Sequence, residues 1–193
     1  MFDAERTEWA FEPVQLSAAQ LGGLLAPLRS AGPDGRQKYR YPSAGGVYAI
    51  STLLHLKAGG TDLEPGVYYH HPVEHGLSLL AQDVELDPAR YGMLSNQATA
   101  EQAAFAIYLV ADLDGIEPHY GVSSLRYAAL EAGAMCMLLR PAGPAQGVGL
   151  TQIGGFDDRA ITAALGLGAR QPIIASLLGG SPAAAREFEE GTL

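Results

Sequence analysis

Leucines at positions 21, 24, 25 and 28 recur at helical spacing, and Ser17 stands before them as an N-cap, so residues Leu16 to Leu28 are predicted to form a helix. Ser30 to Gln37 are rich in Gly, Pro and Asp and read as a loop. The pattern then changes. Val47 to Leu56 is a β-rich run, and Gly66 to His71 and Leu77 to Ala81 flank Pro72-Val73-Glu74-His75-Gly76, which predicts a hairpin. Asp87 to Ser95 reads as a short helix behind an aspartate cap. Ala103 to Ala111 is too continuously apolar for a surface strand. Val122 to Leu139 predicts a long apolar helix, capped by Ser123 or Ser124 and ended or kinked by Pro141 and Pro144. Gly149 to Ile153 reads as a strand, Asp157 to Leu165 as a helix capped by its aspartate, and Pro172 to Leu178 as the last strand. Ser181 to Leu193 reads as a mobile tail, which leaves residues 1–180 as one domain.

Helices interleave with strands, but the hairpin is antiparallel. The expected fold class is therefore α+β, a mixed or antiparallel sheet with helices packed on it. No G-x-G-x-x-G opens a helix after the first strand, which argues against a Rossmann dinucleotide site. The 193 residues, 48% apolar and 17% charged, suit one domain with a full core and exclude a disordered or fibrous chain. One cysteine excludes an intramolecular disulfide framework and a cysteine-rich metal site, and a reducing cytoplasm fits. The formal charge of −9 repels nucleic acid, since the basic residues cluster only at Arg36, Lys38 and Arg40. The N-terminal residues lack the basic start and apolar run of a signal peptide, and no uninterrupted apolar run reaches the roughly 18 residues of a membrane span.

Two loops carry candidate chemistry. Pro42-Ser43-Ala44-Gly45-Gly46 precedes a strand, and its small side chains let a flat ligand or a phosphate approach the backbone N–H groups. Gly154-Gly155-Phe156-Asp157-Asp158 joins a strand to a helix start, where free N–H groups point outward. Taken alone, each reads as an ordinary turn; having two adds a modest argument for a ligand. Lys38 and Tyr39 are adjacent titratable groups beside the first loop, suited to general acid–base work, although a solvated lysine and a half-buried tyrosine are the plain reading. His70, His71 and His75 read as surface residues of the hairpin: neighbours on a strand face opposite ways, and no acidic or cysteine partner sits at ligand spacing. His55 reads as a satisfied sheet residue and Cys136 as a buried thiol. Ser43 and Ser51 lack a nucleophile-elbow context, and Asp157, Asp158 and Glu131 read as cap and surface residues.

Lys38-Tyr39-Arg40-Tyr41-Pro42-Ser43-Ala44-Gly45-Gly46-Val47-Tyr48 resembles the K-Y-R-Y-x-S-A-G-G-L-Y stretch of azoline oxidases in the nitroreductase superfamily, above all the oxidase domains within nonribosomal peptide synthetases. Three further segments agree in the same order. Leu63 to His75 resembles an L-x-P-G-x-Y-x-Y-x-P-x-x-H hairpin, Tyr127 to Gly133 a Y-x-x-L-E-A-G helix, and Gly147 to Asp157 a G-x-G-L-x-x-I-G-G-x-D loop. The likeness runs from about Leu16 to Gly180; each motif alone is weak, and four in register are strong.

The resemblance implies an FMN-binding α+β fold and a homodimer with flavin at the subunit interface. It implies that Pro42, Ser43, Ala44 and Gly45 line the flavin ring, that Gln97 contacts it, and that Ile153, Gly154 and Gly155 lie on its other side. Lys38 and Tyr39 match a pair implicated in proton removal. The implied reaction is oxidation of a thiazoline or oxazoline to the azole on a peptide or carrier-protein-tethered intermediate, with dioxygen reoxidising the flavin, either stand-alone or inside a larger synthetase assembly. The alternatives are Cα–Cβ dehydrogenation of an aminoacyl thioester, as in indigoidine-type synthetases, and a flavin-free dimerisation or docking module. One segment departs from the family. Its R-S-x-R opening, whose arginines hold the FMN phosphate, is matched here by Arg6-Thr7-Glu8-Trp9, so Arg6 stands as the first arginine and Trp9 replaces the second. Arg126 and Arg186 are the candidate substitutes.

Overall fold

A computed structural model describes residues 7–30, 32, 38–92 and 94–183. Arg6, Arg186, nearly all of the expected 30–37 loop and the tail beyond 183 lie outside the described residues. The strands are β1 (Phe11–Glu12), β2 (Ile50–Leu56), β3 (Gly66–His71), β4 (Gly76–Gln82), β5 (Phe105–Ala111), β6 (Gly149–Ile153) and β7 (Ile173–Pro182). The helices are α1 (Ala18–Leu25), α2 (Leu94–Gln102), α3 (Leu113–Tyr120), α4 (Ser124–Ala145) and α5 (Asp158–Ala164).

β5 is central because all seven of its residues are buried, as its unbroken apolar run requires. It pairs with β2 on one side and β7 on the other. β2 leads on to the β3–β4 hairpin, while β6 and β1 line the far edge of β7. Every one of these pairings is antiparallel. Successive side chains take opposite faces. Leu54, Leu56, Phe105, Ile107 and Leu109 meet α1 and α4 on one face. Leu53, Ala106, Tyr108 and Val110 meet residues of the α2 and α5 layer, such as Ala100 and Ile161, on the other. The fold is α+β, an antiparallel sheet flanked by helices.

Ser17 caps α1 in a reciprocal box: its hydroxyl accepts from Gln20 N–H at 3.3 Å, and Gln20 Oε1 accepts from Ser17 N–H at 2.9 Å. Three expectations need correction. The helix placed at Asp87–Ser95 is a 3-10 turn over Pro88–Arg90, after which Gly92, at φ +59°, redirects the chain before α2 begins. α3 was not expected, because Gly115 and Pro118 break its sequence signal; the Asp112 carboxylate secures its start by accepting from the Asp114 and Gly115 N–H groups. α4 passes through Pro141 and Pro144 to Ala145. The carbonyls those prolines leave unpaired belong to Met137 and Arg140, both on the exposed side, where water can satisfy them. Ser181 and Pro182, expected to open a mobile tail, instead extend β7 and pair with Glu12 and Phe11.

The helical stretch Leu113–Ala145 is long and apolar enough by composition to cross a membrane. In this fold Ala128, Ala132, Met135, Cys136 and Leu139 of that stretch fill the core under the sheet, a role that demands the same composition.

The hairpin histidines also depart from expectation. His70 is 2% exposed, and its Nε2 lies 3.1 Å from His75 Nδ1; His75 Nε2 lies 3.0 Å from the Gly22 carbonyl. A carbonyl only accepts, so His75 Nε2 donates to it, and in the neutral pair His70 Nε2–H donates to His75 Nδ1. This relay ties the hairpin to α1. Burial, with His75 and His71 nearby, pushes His70 down to about 4. The native state therefore binds fewer protons than the unfolded state as pH falls below the ordinary histidine value. The stabilisation is complete above about pH 6.5 and is lost as pH falls through about 4. We expect about 3 kcal/mol to disappear over that window. Thermal unfolding as a function of pH checks it: His70→Gln should flatten the slope, and an equal slope would place the pH dependence elsewhere.

Candidate functional site

The Lys38–Tyr48 segment packs onto the face of the sheet that carries α4. Tyr39 and Tyr41 are buried there, with Tyr48 half-buried beside them. The ring centroids of Tyr39 and Tyr48 are 4.3 Å apart, and those of Tyr39 and Tyr41 are 5.2 Å apart. Tyr48 has φ +52°, uncommon for a residue with a side chain; its N–H donates to Ser43 Oγ at 2.8 Å, which fixes the turn. Gly45 has φ +59°, and a Cβ there would fall 2.5 Å from the Tyr120 hydroxyl, so only glycine fits under that ring. Pro42, Gly45 and Gly46 are exposed, Ser43 and Ala44 half-buried. Lys38 is exposed, and its N–H donates to Ser30 Oγ at 3.2 Å.

The residue that anchors this segment is Glu131. Expected on the surface, it is 2% exposed. It lies on the buried side of α4 with Ala128, Ala132 and Met135, and its Oε1 accepts from Ile50 N–H at 3.3 Å, just where β2 starts. Oε2 is buried without a hydrogen-bond partner. Burial raises the Glu131 pKa, while the dipoles of the Ser43 hydroxyl and of the Ile50 and Ala49 N–H groups act against that rise. The sequence held a signal for it: a carboxylate at i+3 and i−1 to buried alanines faces the core, and a core carboxylate needs partners. Burial also pushes the Tyr39 phenol up, helped by the neighbouring Tyr69 and Tyr48 hydroxyls and by Glu131 and Glu74. Tyr41 is raised by the same burial and by Glu131. Both phenols therefore stay protonated near neutrality.

The second loop belongs to the opposite layer. Ile153 and Phe156 join the cluster of α2 and α5, and Gly154 and Gly155 are exposed. The Asp157 carboxylate accepts from Ala160 N–H at 3.0 Å, capping α5 as expected, and Asp157 N–H donates to Arg90 C=O at 2.6 Å. This strap brings the loop against the Gly92 turn and Asn96 of α2. Gln97 is next along α2, half-buried, its Nε2 donating to Gly92 C=O at 3.3 Å. Trp9 reaches the same helix: its carbonyl accepts from Thr99 Oγ1 at 2.8 Å, and its side chain is 53% exposed.

The structure thus gathers Gln97, Ile153, Gly154, Gly155 and Trp9 around α2, and Lys38 through Gly46 over α4, on opposite layers of one chain. Apart from their chain neighbours, neither Gly46 nor Gly154 has a described atom within 4 Å of where a Cβ would be, so both loops are open at these points. On the phosphate side, Arg6 lies outside the described residues, and Arg126 is exposed on α4 with its guanidinium 5.2 Å from the Tyr127 ring centroid.

Residues 10–180 match the family model described as the nitroreductase family. This chain belongs to the nitroreductase family. A curated relative, indigoidine synthase of Streptomyces lavendulae, is 31% identical over 135 residues, which are 69% of this chain and 9% of the relative. Among solved structures, the E. coli microcin synthetase McbBCD complex with truncated pro-MccB17 bound matches with TM-score 0.76 and 21% identity, covering 90% of this chain and 67% of that one. An oxidoreductase described as containing FMN matches with TM-score 0.63 and 16% identity, covering 95% of this chain and 76% of that one. The nitroreductase-family chain therefore spans only a small part of the curated relative's length, while it shares nearly its whole fold with the solved structures.

Proposed function

We propose that this chain is an FMN-dependent oxidoreductase that removes two hydrogens from a peptide or carrier-tethered intermediate. The observation that carries this reading is the Lys38–Tyr39 pair, set beside the small-residue loop that Glu131 and Ser43 hold in place. FMN, when bound, supplies the two-electron acceptor for the hydride. The N–H groups of Ser43, Ala44 and Gly45 would face an anionic ring edge, and those of Gly154 and Gly155 its other side. Lys38 takes the proton from the acidic carbon, and the Tyr39 phenol, kept protonated by burial, donates a hydrogen bond to the substrate. The cation for the phosphate is Arg6 or Arg126.

Oxidation of a thiazoline or oxazoline ring to the azole is the first reading, carried by the K-Y-R-Y-x-S-A-G-G pattern. Cα–Cβ dehydrogenation of an aminoacyl thioester is the second, favoured by the 31% identity to indigoidine synthase. Both need the same two hydrogens removed from adjacent atoms.

The two loops lie on opposite layers of one chain, so a second copy is needed to bring one of each to a single cofactor. The outer side of α4 offers Leu125, Ala129, Gly133 and Met137, all exposed at four-residue spacing, an unpartnered small and apolar stripe suited to a symmetric dimer. The test is the visible spectrum of the purified protein after FMN is added, followed by gel filtration. Flavin bands co-eluting with a dimer are expected. A colourless protein that releases all added FMN would sink the redox reading and leave the docking-module alternative.

A further inference from the structure

Tyr39, Tyr41, Tyr48, Tyr69, His71 and Glu74 wall a cavity of about 320 Å³ between the Lys38–Tyr48 segment and the β3–β4 hairpin. Its chemistry is one-sided. Four of these walls are electron-rich phenol rings, three of them clustered with centroids 4.3 to 5.9 Å apart. Glu74 adds a carboxylate, and no lysine or arginine is among the described lining residues. His71 is turned to other work, with its Nε2 2.8 Å from Ser78 Oγ and its ring edge-on to Tyr69 at 4.6 Å. Behind Ile50, another wall residue, the buried Glu131 carboxyl keeps one oxygen without a hydrogen-bond partner. Phenol groups and the Glu74 carboxylate, with no lysine or arginine among the described walls, favour a cation over an anion.

We propose that this cavity binds an organic ammonium group, the free α-amine of the substrate. The inference rests on the oxidoreductase reading and names the substrate class within it. An aminoacyl thioester with an unblocked amine carries such a cation, whereas an azoline inside an acylated peptide does not. Tyr39, a wall of the cavity, is the chain neighbour of Lys38, the proposed base. Tyr48, at φ +52°, has its ring in this cluster.

Titration calorimetry on the full chain at neutral pH tests the proposal with two probes, alanine ethyl ester and its neutral N-acetyl derivative. The ammonium ester should bind saturably and roughly 10-fold more tightly than the acetylated one. Glu74→Gln, a change at an exposed position, should weaken the ammonium ester about 5-fold and leave the acetylated ester unchanged. Tyr69→Leu should weaken it by a similar factor. Equal affinity for the two esters overturns the proposal, as does an ammonium ester that fails to bind or that is indifferent to both substitutions. Flavin retention is measured on the same samples, so loss of the cofactor reading and loss of the ammonium site are told apart.

Discussion

Lys38→Ala lowers turnover by about 100-fold or more while the variant retains its flavin. The size follows from what a positioned base contributes, on the order of 100- to 10,000-fold. The selectivity follows from where Lys38 stands. It is exposed, outside the buried tyrosine cluster, and its backbone N–H donates to Ser30 Oγ, a bond that alanine preserves. Thermal stability should therefore stay within about 0.5 kcal/mol of the parent. The measurement is steady-state turnover with dioxygen as acceptor, beside the flavin spectrum of the same preparation. Unchanged turnover removes Lys38 from the chemistry. Lost flavin together with lost turnover would make it a binding residue instead. Tyr39→Phe, which keeps the ring and deletes the proposed donor, separates the two members of the pair.

Glu131→Ala costs about 3 kcal/mol of stability and loosens the first loop as well. The truncation leaves the Ile50 N–H without its acceptor at the start of β2 and opens a hole beneath the Pro42–Gly46 turn. For a chain of this length that loss corresponds to a melting temperature lower by about 10 °C. Glu131→Gln should recover most of it, because the amide oxygen still accepts from Ile50 and the uncharged side chain no longer carries a buried charge without a full set of partners. Differential scanning calorimetry on the two variants decides the matter. If glutamine is as damaging as alanine, the charge rather than the acceptor holds the loop. If both match the parent, Glu131 is not an anchor.

How far the fold could be read in advance depended on how each segment earns its structure. β5, α1 and the hairpin announce themselves through apolar period and turn chemistry, so their types and approximate ranges were legible. α2 has no apolar stripe: Asn96 and Thr99 are among its buried residues, so its helix exists through tertiary contacts rather than pattern. α3 was hidden by its own glycine and proline. At the site, the two small-residue loops were legible as loops, but their neighbours were not. Nothing in the local sequence says that Tyr120 closes over Gly45 or that Gly92 abuts Gly155. His70 looked like a surface residue because strand alternation was read without the α1 layer that covers it. Glu131 was misjudged for a related reason: a charged residue was assigned to solvent by type, although its spacing put it among core alanines.

The pairing of β1 with the end of β7 has a topological consequence. The Ala183 N–H donates to the Ala10 carbonyl at 3.2 Å, so residues 10 and 183 lie about 5 Å apart on the same sheet edge. The described fold therefore begins and ends side by side, closed by the β1 ladder on β7.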